Sequence, residues 1–424
     1  MSNFEIKDFY YLVSCRPMEN NYKFWKAIKK ENMFECYYGR IGSSGKLEQK
    51  SESGWRTKYN GSISDKKGYI DRTEFFELIS LKESSDGNSQ SFQIENKLIH
   101  DLIVYLNNAS SNTIKENYIL GDVLPNDKLF KRVNELISNI RQNISVNCDI
   151  NKINNDYLEL ISLSQRKLRD VKTSLFTPIV DKDELQKAFE KIDNEQELLD
   201  ALEQNVKSQR DTIKQEIEKI KNEKGISDKF DILKSLGINI EPITKDEEDK
   251  IKKIIKDSDT SHQRFKQAFR ITNYKQQEIF DNYVKNAKNK ETQLLWHGSK
   301  SCNYLSIISK SLLIRPSFAN FNGNMWDSGI YAASDHDKSF GYTDSGRWVG
   351  GQSTSKQLLL LFDFHVGKQL IKTKHDSDCY NISKQIKNSD YDSVWAQKGV
   401  SLYRSEYIIY DDRQCTPKYI VEFE

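Results

Sequence analysis

The sequence predicts a multidomain α+β protein in three successive parts: a small β-rich domain, an all-α helical bundle, and an α+β domain on a mixed sheet. Three observations carry that expectation. Aromatic and β-branched runs separated by polar turns fill the first eighty or so residues. Apolar residues at three- and four-residue steps then dominate from about Phe92 to Gly225. After Gly225, charged helix-like stretches give way to strands. A chain of 424 residues also exceeds what one hydrophobic core organises, which points to two to four domains.

The strands expected first are Phe9–Ser14, Lys23–Ile28 and Met33–Gly42. The stretch Glu83–Ser91, ESSDGNSQS, has no apolar anchor and reads as a linker, so the first domain is placed at 1–84. In the helical part, 92–225, Lys97–Leu106 has one apolar face. Asn126–Ile140 sets Leu129, Val133, Leu136 and Ile140 on one stripe, with a start at Asn126 and Asp127 after Pro125. A long helix is expected over Glu195–Gly225, striped by Leu199, Leu202, Val206, Ile213, Ile217 and Ile220. The stripe breaks near Gln209, which favours a bundle helix over a coiled coil. The last part, 226–424, combines helices at Asp246–Ser258 and Tyr274–Lys288 with strands at LLWHG, GIYAA, Leu358–Val366, YIIYD and Lys418–Phe423.

Composition narrows the function classes. The chain is 37% hydrophobic and 30% charged, with no apolar run of the ~18 residues a membrane span needs, so no membrane association is expected. The N-terminus lacks the basic-then-apolar layout of a secretory signal, which suggests an intracellular protein. The six cysteines stand singly with no C-x-x-C pair, so neither a zinc finger nor a dithiol motif is supported and no metal is expected. A net charge of +2 says nothing about partners, but residues 1–72 hold 14 Lys+Arg against 9 Asp+Glu, a modest bias toward a polyanion.

Four short segments of the last third concentrate the chemistry: LLWHGS at Leu294–Ser299, GIYAA at Gly329–Ala333, KSFGY at Lys338–Tyr342 and SEYIIYD at Ser405–Asp411. Cleaving nicotinamide from ribose leaves a sugar cation, so a site needs a grip on each end and a negative charge beside the ribose. Tyr331 and Tyr342 offer faces for a cationic ring. The backbone of Gly298 can read a carboxamide without side-chain obstruction, and Ser339 can donate to the same group. Glu406 can accept from a ribose hydroxyl and stabilise an oxocarbenium-like transition state. Singly, each has an ordinary structural reading: a satisfied histidine, a core tyrosine, a solvated glutamate. G-x-S-x-G is absent, and no Ser-His-Asp order suggests a hydrolase.

Together, in this order and with their flanks LLWHGSKSCNYLSIISKSL, GIYAASDHDKSFGYT and SEYIIYDDRQCTPKYIVEF, these segments resemble the His-Tyr-Glu signature of the poly(ADP-ribose) polymerase catalytic domain. The resemblance implies an ADP-ribosyltransferase at 226–424 using NAD+ as substrate. His297 would hold the adenosine ribose and Ser299 would contact ribose, with Asn303 at a recurrent family position. Gly298 and Ser339 would read the nicotinamide amide, Tyr342 would stack on its ring and Tyr331 would back the pocket. Glu406 would be catalytic and Lys338 would support it. Arg315 lies two places beyond the family's usual donor-loop arginine. The stretch from Tyr342 to Glu406 is shorter than in nuclear polymerases, which bears on polymer length and branching.

Upstream, Lys97–Ile140 resembles the opening of the helical regulatory domain of DNA-dependent members, and residues 1–84 resemble a WGR domain in which Tyr38-Gly39-Arg40 replaces the usual tripeptide. By that resemblance Tyr38 would stack on a DNA end and Arg40 would meet the backbone or the helical domain. Lys23, Lys46, Lys66 and Lys67 are candidate phosphate contacts. The whole then implies a monomer stimulated by DNA breaks that modifies itself and other proteins in the DNA-damage response. It would work in the nucleus if eukaryotic and in the cytoplasm or nucleoid if bacterial. The alternatives are a mono-ADP-ribosyltransferase or NAD glycohydrolase, and a catalytically silent DNA-end-binding scaffold.

Overall fold

The structure, a computed structural model, describes residues 7–64, 66–78, 94–118, 123–146, 148–222, 232–258, 264–314, 325–346 and 354–424. The linker at Glu83–Ser91, Gly225 and Arg315 lie outside these residues. The chain divides into two compact units, one of residues 1–87 and 112–206 and the other of residues 88–111 and 207–424.

In the first unit, strands β1 (Phe9–Arg16), β2 (Asn21–Lys29), β3 (Phe34–Arg40) and β4 (Lys46–Lys50), helix α1 (Glu52–Ile63) and strand β5 (Ile70–Asp71) form a sheet ordered β4-β3-β2-β1-β5 with one helix. Every pairing is antiparallel. Alternation sends Tyr10, Leu12, Trp25, Ala27, Phe34 and Cys36 into a core closed by Trp55 and Tyr59 of α1. Tyr10 stacks on Trp55 with ring centroids 4.5 Å apart. Each such large apolar side chain contributes about 1.5–3 kcal/mol on burial, so aromatics carry this small domain.

Strand β6 (Phe76–Leu78), helix α2 (Lys97–Asn117) and strand β7 (Val123–Pro125) lead into α3 (Asp127–Val146), α4 (Ile150–Leu163) and α5 (Lys182–Asn222). Asn126 caps α3 by accepting from the N–H groups of Lys128 and Leu129, and the stripe Leu129, Val133, Leu136 and Ile140 is buried. Helix α5 begins at Lys182, thirteen residues before the start read from the apolar stripe. Asp183 and Glu184 in its first turn favour that start through the helix dipole, and Ala188, Phe189 and Ile192 extend the buried face. Among the helices, Arg166 and Glu195 form a buried ion pair, with Nε to Oε2 at 2.9 Å; Tyr157 donates to the same carboxylate. On the sheet side, Tyr22 donates to the Ile161 carbonyl at 2.6 Å.

The second unit takes in the first part of α2 and continues through α6 (Ile232–Leu236), β8 (Ile238–Pro242), α7 (Lys245–Lys256), β9 (Phe265–Asn273), α8 (Tyr274–Asn286), β10 (Thr292–His297), α9 (Tyr304–Lys310), β11 (Ile330–Ala332), α10 (His336–Phe340), β12 (Gln357–His365), β13 (Gln369–Lys372), α11 (Ile382–Lys387), β14 (Ser393–Ala396), β15 (Glu406–Ile409) and β16 (Cys415–Phe423). A capping box starts α7: Thr244 accepts from the Glu247 N–H, and Glu247 accepts from the Thr244 N–H. Two sheets form, one ordered β10-β12-β16-β9-β8 and the other β11-β15-β14-β13, the latter mixed because β13 and β14 run parallel. The chain is thus mixed α+β.

Strand β12 reads Leu358 to Phe364 as a nearly unbroken apolar run because both its faces are covered. Leu358, Leu360, Phe362 and Phe364 enter one core; Leu359 and Leu361 enter another. The first core also takes Ile99, Leu102, Ile103 and Leu106 of α2, so the start of that helix packs on the same sheet as β10. Among the described residues, no helix is long and apolar enough to cross a membrane.

Candidate active site

The site forms where the two sheets part. Strand β10 lies at the edge of its sheet, and one bridge joins it to the other: Trp296 N–H donates to Ala333 O at 2.7 Å and Ala333 N–H returns to Trp296 O at 3.0 Å. Trp296 is fully buried, which pins this bridge from below. Past it the chains diverge, so the residue after Trp296 and the residue two before Ala333 form the two lips of a crevice. These residues are His297 and Tyr331.

His297 Nδ1 lies 3.1 Å from the Tyr331 carbonyl, an acceptor, so Nδ1 carries a proton and donates across the crevice. Gly298 follows with no room for a side chain, since a Cβ there would sit 1.8 Å from the Ser339 carbonyl oxygen. The backbones of the β10 exit and α10 are therefore in direct contact, and Ser339, itself buried, donates its hydroxyl to Trp296 O at 3.1 Å. Asn303 is buried and donates to Ser299 Oγ at 3.2 Å, which fixes the next hydroxyl of the loop. Asp344, which sequence reasoning did not single out, accepts from the Ser301 N–H at 2.8 Å and ties this loop to the turn after Tyr342.

On the opposite lip Tyr331 is locked inward. Its hydroxyl donates to Asp327 O at 2.7 Å and accepts from the Trp326 N–H at 2.9 Å. Burial holds its phenol far above the ordinary value, with the nearby Tyr410 adding to the effect. The ring is thus a wall whose hydroxyl is already spent. Tyr342 differs: its ring is 37% exposed, and burial together with the Glu406 charge pushes its phenol up to about 12. It stays a neutral, accessible aromatic face at any physiological pH.

Glu406 opens β15, is 7% exposed, and receives the Lys338 ammonium at 2.8 Å from Oε1. Its charge adds to the burial that holds the Tyr331 and Tyr342 phenols in their neutral forms. Two more pairs lie behind them. Arg404, two residues before Glu406, binds Asp335 through one guanidinium nitrogen and Asp337 through the other, the latter at 3.1 Å. Sequence reasoning passed over all three. The available signal was an Arg two places before the key Glu and an Asp-x-Asp just before Lys338. A cleft of about 510 Å3 opens along Thr292–Leu295, with Asp335, Arg404 and Ser405 also lining it.

The polyanion candidates form a separate group in the first unit. Tyr38 lies on β3 between Trp25 and Lys46, donates its hydroxyl to Glu48 at 2.8 Å, and has the Lys58 ammonium 5.2 Å from its ring centre. Lys58 was not among the sequence candidates. Lys23, Lys46, Lys66 and Lys67 are all exposed. Arg40 donates to the carbonyls of Asn20, Leu168 and Arg169 and to the Asn20 side chain, so it ties the strand to the loop after α4.

Known proteins resemble this chain over its last part. Residues 245–424 match the poly(ADP-ribose) polymerase catalytic domain family. A poly(ADP-ribose) polymerase-like protein of Invertebrate iridescent virus 6 is 29% identical over 187 residues, 42% of this chain and 96% of the viral protein. Poly(ADP-ribose) polymerase 1 of Danio rerio is 30% identical over 152 residues, 31% of this chain and 14% of its own length. The Gallus gallus protein of that name is 28% identical over 233 residues, 48% of this chain and 22% of its own. The chain thus spans nearly all of the viral relative and under a quarter of these two vertebrate ones. The match over residues 245–424, together with these relatives, supports NAD+ ADP-ribosyltransferase activity for this part of the chain.

Proposed function

We propose that this protein is a DNA-break-stimulated poly(ADP-ribose) polymerase that modifies itself and other proteins. The observation that carries the catalytic half is the Lys338–Glu406 pair facing Tyr331 and Tyr342 in a buried corner. NAD+ enters as substrate. Its nicotinamide lies against the Tyr342 face, with its amide toward the Gly298 backbone and Ser339, and the adenosine ribose lies toward His297 and Ser299. As the glycosidic bond lengthens, positive charge grows on the ribose. Glu406, fixed by Lys338 before the reaction begins, stabilises that charge with little reorganisation. The same carboxylate can then polarise an acceptor hydroxyl, which is the step that elongates a polymer.

The DNA half is carried by the first unit. The first unit supplies a half-buried aromatic with Lys58 over its ring, four exposed lysines, and Arg40 bonded to the loop after α4. That pattern suits a sheet that meets a DNA end and passes strain to the helices it is bonded to. A monomer acting in the nucleus or nucleoid fits this role.

Purified protein, labelled NAD+ and a 5′-phosphorylated duplex test the proposal together. The expected result is a DNA-stimulated smear of automodified protein that Glu406→Gln reduces by about 10²–10³-fold. A discrete modified band would mean mono-transfer, and release of nicotinamide without labelling would mean a glycohydrolase. DNA binding with neither would leave a silent scaffold.

A further inference from the structure

We infer that Arg404 is a positioning residue for ADP-ribosyl transfer: by clamping α10 to the entry of β15 through Asp335 and Asp337, it sets the Lys338–Glu406 geometry. The inference rests on the transferase reading of the site. Helix α10 is five residues long, far too short to hold its own shape, so its placement depends on ties to its surroundings. Two of those ties run to β15 and its entry with opposite polarity. Arg404 reaches across to Asp335 and Asp337, and Lys338 reaches back to Glu406. The three contacts span only residues 335–338 on one side and 404–406 on the other, so they fix both spacing and rotation of the two segments.

The surroundings make the clamp strong. Arg404 has 17% of its side chain exposed, and Asp335 and Asp337 have 11% and 10%. Asp335 also caps α10 by accepting from the Asp337 N–H at 3.0 Å, so the arginine holds the residue that starts the helix. Without the guanidinium, two nearly buried carboxylates would lose the cation that bridges them, one and three residues before Lys338. Lys338 would then be drawn toward them, and Glu406 would lose its fixed partner. The reacting carboxylate would be present but misplaced. Such an error lowers the turnover rate more than the binding of NAD+, whose contacts lie on His297, Gly298, Ser299 and Tyr342.

The test uses the full chain carrying Arg404→Ala, Arg404→Lys, Lys338→Ala, and Arg404→Ala with Lys338→Ala, followed by nicotinamide release against NAD+ concentration. Arg404→Ala is expected to lower kcat by about 10–100-fold with KM changed by less than about threefold. Arg404→Lys should recover part of the loss, because one of the two carboxylates regains a cation. The double variant should be no slower than Lys338→Ala alone, since both act through the same pair. A kcat for Arg404→Ala within about twofold of wild type would overturn the inference, as would losses that multiply in the double variant.

A readout independent of catalysis separates failure of the clamp from failure of the transferase reading. Hydrogen exchange at the amides of 336–340 should quicken by about tenfold or more in Arg404→Ala, with exchange in the first unit unchanged. Unchanged exchange there defeats the clamp. A wild type that releases no nicotinamide defeats the transferase reading, whatever the exchange data show.

Discussion

Replacing Gly298 by alanine is expected to damage catalysis far more than the gain of one methyl group suggests. The added Cβ would lie 1.8 Å from Ser339 O and 2.7 Å from its carbonyl carbon, where real contacts of this kind are essentially never below 3.0 Å. Both neighbours are backbone, so no side-chain rotation relieves the clash. The β10 exit and α10 must separate by about 1.2 Å at least, taking Ser339 and Lys338 away from the crevice. A displacement near 1 Å costs about 100-fold in rate, or about 2.7 kcal/mol of barrier. Overpacking adds about 1–3 kcal/mol of lost stability. Steady-state nicotinamide release and thermal melting read the two effects. Gly61→Ala is the control, because a Cβ there meets nothing within 4 Å and lies in α1, where alanine should stabilise by about 0.5–1 kcal/mol. The reasoning fails if Gly298→Ala keeps kcat/KM within about threefold of wild type while its melting temperature is unmoved.

Three further outcomes are expected. Tyr331→Phe removes the hydroxyl that serves Asp327 O and the Trp326 N–H, so urea denaturation should show about 1–3 kcal/mol lost, while nicotinamide release falls less than about tenfold because the ring remains. Arg40→Ala should lower the stability of the first unit, measured by denaturation, yet leave the salt dependence of DNA binding unchanged; a slope smaller by about one would instead assign Arg40 to a phosphate. Lys191, whose ammonium lies over the rings of Tyr157 and Phe176, is lowered by burial to about 8 from 10.5. The folded state therefore releases this proton before the unfolded state does, so stability should rise as pH increases from about 8 toward 10.5. Lys191→Met should abolish that rise in pH-resolved denaturation.

The candidate catalytic residues were legible because each sits in a short segment whose residue types are uncommon together: a His-Gly-Ser after an apolar strand, a Tyr in a small-residue strand, a Glu before β-branched residues. The α3 stripe and its Asn126 cap were legible for the same local reason, since helix period and capping act over a few residues. The early start of α5 was not, because its first turns bury Ala188, Phe189 and Ile192 at spacings that a search for leucine stripes passes over. Arg404, Asp335 and Asp337 were missed because a charged side chain in a polar sequence reads as solvated until its partner is known, and here the partners lie 69 and 67 positions away.

The sequence by itself determined the chemistry available and the mixed α+β character, through periodicity and short motifs that act locally. Only the tertiary structure decided that His297 and Tyr331 face each other, because a single buried Trp296–Ala333 bridge sets where two sheets part. It also decided what holds Lys338, the cation the resemblance paired with Glu406, since its helix is too short to place itself and is tied to the β15 entry by Arg404 through Asp335 and Asp337. Long-range pairing of charges depends on burial and distance, which no local pattern of residues encodes.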